Sequence, residues 1–371
     1  MESQIYMSGP SITQYEIERV VEMMKNGWYG ENAYACVELF EKLFASYHER
    51  KFSLMTPNCT TAIHLILMAL GIGKNDEVIV PEITWIATAA PIHYVGATPV
   101  FSDVNLHNWC IDIENIKKKL TKKTKAIIAV DIYGNMPNYT ELIDLCNSQN
   151  IVLIEDSAEA LGSKYLDKKA GSFGTASVFS FHRTKTLTTG EGGMLLMDDE
   201  NLFNRSKILR DHGRAPGSYF NTEIGYKYMP SNLAASLGLA QFERIDELIK
   251  IKRNIYELYK SLINDEYCEL NPENEQTFNS VWSTVMLVKE ERKIRNIIEE
   301  FAENRIPVRP FFQPLSSLPA FEKYKSSEDK NNVNSECLFR RGLCLPSSMN
   351  LEESQITNVA NIINKVLASN K

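Results

Sequence analysis

The chain has 371 residues, 44% of them hydrophobic and 23% charged, with a formal net charge of −7. That composition suits a soluble globular protein with one large and one smaller domain. It speaks against nucleic acid as the main partner, which needs a basic footprint, and against a membrane span, since no run approaches ~18 apolar residues.

The seven cysteines are an odd number with no CxxC pair, and several sit in apolar runs such as "LIDLCNS" and "RRGLCLP". This pattern predicts buried, reduced thiols and no metal site. With an N-terminus that lacks an apolar signal core, it makes a cytoplasmic location the expectation. The lysine run "KKKLTKKTK" reads as the solvated end of a helix.

From about residue 50, strand-like and helix-like stretches alternate. "KFSLMT" precedes "TTAIHLILMALGIG", "DEVIVPE" precedes "WIATAAPIHYVG", and "TPVFSDV" precedes "DIENIKKKL". "KAIIAVDIYG", the helical "YTELIDLCNSQN" and the strand "IVLIEDS" follow, then the strands "ASVFSFH" and "GGMLLMD". Short, nearly continuous apolar strands joined by helices predict an α/β fold, a mostly parallel sheet covered on both faces.

After "ENLFNRSKILRDHG" a long helical stretch from about Asn232 to Asn264 is expected to lead into a smaller α/β domain. That domain would hold the strand "SVWSTVMLVK", the helix "ERKIRNIIEEFAENR", the strand-like "IPVRPFF" and an amphipathic helix from Leu351. The division is placed at 1–245 and 246–371. The polar segment "KYKSSEDKNNVNSE" reads as a mobile surface loop.

Ligands of such sheets bind at the carboxyl ends of the strands, and four of those ends carry unusual residues. "IVLI" ends on Glu155 and Asp156, which suits either a ligand contact or the cap of a helix starting at Ser157. "NCTTAIHL" places Asn58, Cys59, Thr60 and Thr61 at a helix start, whose free amides suit an anion but equally a simple cap. Trp85 opens the helix after "VIVPE", where it would stack on a flat ring or fill the core. Lys185, in "SFHRTKTLTTGEGGM", follows one further strand and precedes glycines that would let backbone pass close to a ligand. "GEGG" lacks the spacing of a nucleotide-phosphate loop.

Together these groups suit pyridoxal 5'-phosphate. It needs a lysine for a Schiff base, an acid for its ring nitrogen, an anion site for its phosphate and a flat group over its face.

The series "NCTTAIHL", "DEVIVPEITWIATA", "IEDSAEALGSKY", "FSFHRTKTLTTGEGG" and "YMPSNLAASLGLAQ" resembles the fold-type I aminotransferases of the DegT/DnrJ/EryC1/StrS family. It most resembles the branch that aminates nucleotide-linked 4-keto-6-deoxy sugars for O-antigen, lipopolysaccharide or capsule. The resemblance implies a homodimer using L-glutamate, with pyridoxal phosphate covalently on Lys185 and pyridoxamine 5'-phosphate as its intermediate form. It implies Asp156 at the ring nitrogen, Glu159 near the ring hydroxyl and Trp85 on the ring. Cys59, Thr60, Thr61 and Ser180 would hold the phosphate, with Asn232 reaching it from the neighbouring subunit. Trp28, Tyr29, Asp131, Arg309 and Ser316 would face the substrate.

The chain departs from the family pattern at Cys59, often glycine, and at Asp131 and Ser316, commonly histidine. A sister branch carries histidine for the catalytic lysine and is a dehydratase; Lys185 is intact here. A 3-ketosugar aminotransferase, a dehydratase and a non-catalytic homologue are the alternative expectations.

Overall fold

Two amphipathic helices come first, α1 (Gln14–Asn26) and α2 (Ala35–Tyr47), in a computed structural model that describes residues 4–215 and 217–369. Residues 1–3 and 370–371, the outer ends of the two expected domains, lie outside the described residues. The start of α1 is fixed by a capping box, the Thr13 amide donating to the Glu16 carboxylate at 2.7 Å.

The expected alternation follows. It runs β1 (Phe52–Thr56), α3 (Cys59–Ala69), β2 (Glu77–Pro81), α4 (Ile86–Tyr94), β3 (Thr98–Ser102), α5 (Ile113–Lys119), β4 (Thr124–Val130), α6 (Tyr139–Gln149) and β5 (Val152–Asp156). A short hairpin, β6 (Lys164–Tyr165) and β7 (Lys168–Lys169), precedes β8 (Ala176–Ser180), β9 (Gly193–Met197) and α7 (Glu200–Arg210).

The sheet order is β1-β9-β8-β5-β4-β2-β3. Neighbours pair in parallel except β9, which runs antiparallel to both β1 and β8. The fold is therefore α/β, mixed and mostly parallel. Ile63, Ile66 and Leu67 of α3 pack on one face of the sheet, and Leu142 and Cys146 of α6 on the other. Covering both faces explains why the strands read as unbroken apolar runs.

The expected long helix is two. α8 (Asn232–Glu243) and α9 (Ile245–Leu262) are broken at Arg244, whose φ of −107° and ψ of 14° are not helical. The Arg244 guanidinium bridges Glu16 at 2.5 Å and Glu247 at 2.7 Å, fixing the break against α1. The expected division at 245/246 falls beside it.

Beyond α9 come β10 (Cys268–Leu270), β11 (Thr277–Phe278), β12 (Val285–Val288), α10 (Lys293–Glu303), β13 (Arg309–Pro310), α11 (Val333–Arg341), β14 (Gly342–Cys344) and α12 (Glu353–Ala368). The antiparallel sheet β10-β12-β14-β13 buries Met286, Val288 and Leu343 under Ile297 and Phe301 of α10 and Ile363 of α12.

The polar stretch 323–336 is not a free loop. Asp329 and Asn332 are buried; Lys119 Nζ donates to Asp329 at 3.2 Å, and Asn332 Nδ2 donates to Glu82 at 2.6 Å. Its carboxylates and amides tie the segment to the large sheet, and α11 grows from its end.

Lys252 on α9 is fully buried, its Nζ donating to the Ser347 carbonyl at 2.6 Å. Burial, helped by the charge of Lys185, pulls its amine from 10.5 down to about 7. A base depressed on folding is fully compatible with the fold above its unfolded value and weakens it as pH falls toward the folded one. Lys252→Met is therefore expected to raise stability at pH 7 by about 1–3 kcal/mol and to flatten its rise with pH between 7 and 10. Urea unfolding across that range checks this; a less stable variant at every pH would show that the amine's hydrogen bond outweighs its burial.

Candidate active site

Glu155 and Asp156 close β5, and the two-residue period of a strand sends them to opposite faces. Glu155 faces away from the strand-end crevice and accepts from the amides of Gly171 (2.7 Å) and Phe173 (2.9 Å) and from Ser177 Oγ (2.8 Å). It anchors the loop before β8. Asp156 caps no helix, because residues 157–163 form turns. Its carboxylate accepts from Thr88 Oγ1 at 2.8 Å and the Ala158 amide at 3.2 Å, with Cys59 Sγ 4.0 Å away. Burial pushes it up to about 6, against these hydrogen bonds and the charge of Lys185.

Lys185 leaves β8 through a turn closed by its own amide donating to the His182 carbonyl at 2.8 Å. The side chain lies largely buried, Nζ donating to Glu159 Oε1 at 3.0 Å and sitting 3.7 Å from the centroid of Trp282. Glu159 is held from its other oxygen by the Tyr133 amide at 2.9 Å. Trp282 stacks on Tyr133, and Tyr133 on Phe312, so an aromatic wall runs from the lysine toward Trp85, 6.3 Å from Phe312. Trp85 is 61% exposed, which removes the core-filling role and leaves a ring face open beside the strand ends.

Asn58 caps α3, accepting the Thr61 amide at 2.9 Å, while Thr61 Oγ1 turns back to the Asn58 carbonyl at 2.7 Å. Thr61 is thus committed to the cap. The amides of Cys59 and Thr60 have no acceptor within the helix and stand at its positive end. Ser180 ends β8, its Oγ accepting the His182 amide at 3.3 Å. Gly193 serves protein packing: a Cβ there would lie 2.5 Å from the Asn58 carbonyl carbon. Glycine there lets β9 start against the α3 N-terminus. Cys59, where relatives often have glycine, is buried with its thiol toward Asp156, and burial holds that thiol well above its usual range.

Three expected contacts are placed differently. Asn232 is buried and tied within its own chain, accepting the Cys36 amide and donating to the Gly27 and Asn32 carbonyls, each at 2.9 Å. Both its donors hold the segment between α1 and α2, so neither is free for a neighbour's phosphate. Asp131 does not face a substrate: it is sealed inside, accepting from Tyr139 Oη at 2.6 Å and Ser157 Oγ at 2.8 Å. Ser316 is buried, its amide donating to Glu82 at 2.8 Å. Family position does not reveal burial, and a short polar residue in place of histidine fits inside. Arg309 is exposed on β13, whose neighbour Cys344 contacts Tyr133 Oη through Sγ at 3.4 Å. Trp28 and Tyr29 are exposed after α1, with Trp28 Nε1 donating to the Met24 carbonyl at 2.7 Å.

Thr88, Trp282, Tyr133 and Phe312 were not expected at the site. Thr88 had a signal, one turn into the helix Trp85 opens. The aromatic trio had none, because tertiary packing brings it from distant segments. All seven cysteines are free thiols; five are buried, whereas Cys36 and Cys337, expected to be buried, are half-buried. Among the described residues no group of metal-ligating side chains occurs and no helix is long and apolar enough to cross a membrane.

The donor set fits pyridoxal phosphate. A buried carboxylate poised for a cationic ring nitrogen, a nearby amine, two unpaired helix amides and an open indole face gather at the carboxyl ends of the strands.

A sequence profile of the DegT/DnrJ/EryC1/StrS aminotransferase family matches residues 10–364. The GDP-perosamine synthase of Escherichia coli O157:H7 is 37% identical over 358 residues, covering 96% of each chain. That of Vibrio cholerae is 36% identical, covering 95% of this chain and 96% of its own. Among solved structures, Spr1654 of Streptococcus pneumoniae in its PLP-form superposes with a TM-score of 0.91 at 28% identity, covering 99% of this chain and 100% of that one.

Proposed function

The chain belongs to the DegT/DnrJ/EryC1/StrS aminotransferase family and is a pyridoxal phosphate-dependent sugar aminotransferase, and we propose that it aminates the C4 ketone of a GDP-linked 4-keto-6-deoxy sugar with L-glutamate. The observation that carries the chemistry is the nearness of the buried Lys185 amine, on the turn after β8, to the buried Asp156 carboxylate at the end of neighbouring β5, close enough for the lysine's charge to act on it. The choice of C4 and of GDP rests on the GDP-perosamine synthases, which match nearly end to end.

When bound, pyridoxal phosphate supplies an electron-withdrawing ring that stabilises negative charge on the substrate carbon losing its proton. The residues then divide the work. Lys185 Nζ holds the group and afterwards moves the proton between the two carbons that exchange it. Asp156 keeps the ring nitrogen cationic by staying ionised, for which Thr88 and Ala158 supply hydrogen bonds. The Cys59 and Thr60 amides and the Ser180 hydroxyl meet the phosphate at the α3 N-terminus. Trp85 covers a ring face, and Glu159 holds Lys185 Nζ whenever the amine is free of the group. Arg309 at the rim suits the substrate's diphosphate.

A homodimer is part of the proposal. Ile17, Val21 and Met24 of α1 and Leu39 and Leu43 of α2 are exposed on the outer face of the large domain. A groove of about 320 Å³ between α1, α2 and α8 lies beside them. An apolar face of this kind suits a second copy. The product would be a deoxyaminosugar for a cell-surface glycan.

A panel of GDP-, dTDP- and UDP-linked 3- and 4-ketosugars, each offered with L-glutamate, tests the substrate. The GDP-linked 4-ketosugar is expected to give the highest kcat/KM, with the new amine at C4 by NMR. Turnover of a 3-ketosugar alone would replace the proposal with its nearest rival.

A further inference from the structure

Behind Asp156 two hydroxyls stand in line. Thr88 Oγ1 donates to Asp156 Oδ2 at 2.8 Å, and Thr84 Oγ1 lies 3.2 Å from Thr88 Oγ1. A hydroxyl carries one proton. Because that of Thr88 goes to the carboxylate, Thr84 is the donor to Thr88. All three side chains are buried, so water does not replace these bonds. Thr84 and Thr88 flank the N-cap of α4, four residues apart, and the extended backbone at Trp85 folds the Thr84 side chain back onto the first turn of the helix. Their β-branched side chains are stiff about χ1, which holds the oxygens in place.

The Thr88 hydroxyl is not needed by its helix. Its amide already donates to the Trp85 carbonyl at 3.1 Å, and its side chain turns away from the backbone to the carboxylate. We propose that Thr88, oriented by Thr84, is a positioning residue that keeps Asp156 ionised and turned toward the ring nitrogen of the cofactor. This rests on the role assigned above to Asp156.

The other groups facing that carboxylate are the Ala158 amide, the Cys59 thiol, Lys185 and Glu159. Lys185 favours the ionised form, while burial and the charge of Glu159 oppose it. Thr88 makes the shortest of its hydrogen bonds, and a hydroxyl donating to a carboxylate is among the stronger ones. Without it the carboxyl would hold its proton at higher pH, and a neutral acid does not support a cationic nitrogen.

The test uses the protein stripped of cofactor and titrated with pyridoxamine 5'-phosphate, which does not bond to Lys185. Affinity is measured from pH 4.5 to 8 for the wild type and for Thr88→Val, Thr88→Ala, Thr88→Ser, Thr84→Val and Asp156→Asn. Wild-type binding is expected to weaken below an acid midpoint set by Asp156. Thr88→Val is expected to move that midpoint up by about one pH unit, weakening binding about tenfold at the acid end of the range and about twofold at pH 7. Thr88→Ala, which cannot overpack the site, carries the same expectation. Thr88→Ser should restore both properties, and Thr84→Val should shift the midpoint less. An unmoved midpoint in the valine and alanine variants, or a loss that serine does not repair, overturns the positioning role. Wild-type affinity and pH dependence in Asp156→Asn would instead overturn the reading of Asp156, a separate outcome.

Discussion

Replacing Lys185 with alanine is expected to lower amino transfer by ~10⁴-fold or more, because one side chain supplies both the covalent anchor and the proton carrier. The loss should not come from unfolding. Lys185 Nζ bonds to Glu159 and lies over Trp282, but the Tyr133 amide still holds Glu159 when the amine is gone. A thermal melt close to that of the wild type is therefore expected beside the catalytic loss. Borohydride reduction with pyridoxal phosphate, followed by peptide mapping, should place the fixed cofactor on Lys185 in the wild type and nowhere in the variant. An adduct retained on another lysine, or activity within tenfold of wild type, would move the chemistry elsewhere. Buried Lys252, with its amine drawn down to about 7, is the other lysine to watch in that map.

Asp156→Asn is expected to separate function from stability. Activity and cofactor affinity should fall by ~10²-fold or more, since the amide cannot hold a cationic ring nitrogen. The cofactor-free protein should become more stable. Burial raises the carboxyl from 3.8 to about 6, so the folded state binds that proton more tightly than the unfolded one. Ionising it between pH 4 and pH 6 therefore removes stability, and the loss, about 2–3 kcal/mol, is complete above pH 6. Asparagine carries no such loss, and it still accepts from Ala158, while the Thr88 hydroxyl can reverse to accept from the new amide. Urea unfolding of both cofactor-free proteins should converge near pH 4 and separate toward pH 7, with the variant the more stable. Added pyridoxal phosphate should stabilise the wild type more than the variant. A variant less stable at neutral pH would mean that the Thr88 and Ala158 bonds already outweigh the burial of charge.

The alternation of apolar strands and helices made the α/β sheet legible from sequence, because strands covered on both faces leave no polar period. Asp156 and Lys185 stood out for a related reason: an acid and an amine at the ends of buried strands contradict their surroundings. What remained illegible depends on contacts between distant segments. Trp282 reaches Lys185 from the segment just before β12, and nothing local to "SVWST" announces it. Arg244 interrupts a helical pattern through ion pairs with Glu16 and Glu247. The segment 323–336 has loop composition yet is tied down by Asp329 and Asn332. Asp131 and Ser316 mark the limit of family resemblance, which assigns a position but not whether its side chain meets solvent or the interior.

The most direct test of sugar transamination through Lys185 follows the nitrogen. Wild-type protein with pyridoxal phosphate, L-glutamate labelled with ¹⁵N and a GDP-linked 4-keto-6-deoxy sugar should yield 2-oxoglutarate and a sugar bearing ¹⁵N on C4 in equal amounts. The Lys185→Ala protein should yield neither. Label released as ammonium, with a product lacking nitrogen, would contradict amino transfer and identify a dehydratase on the same fold.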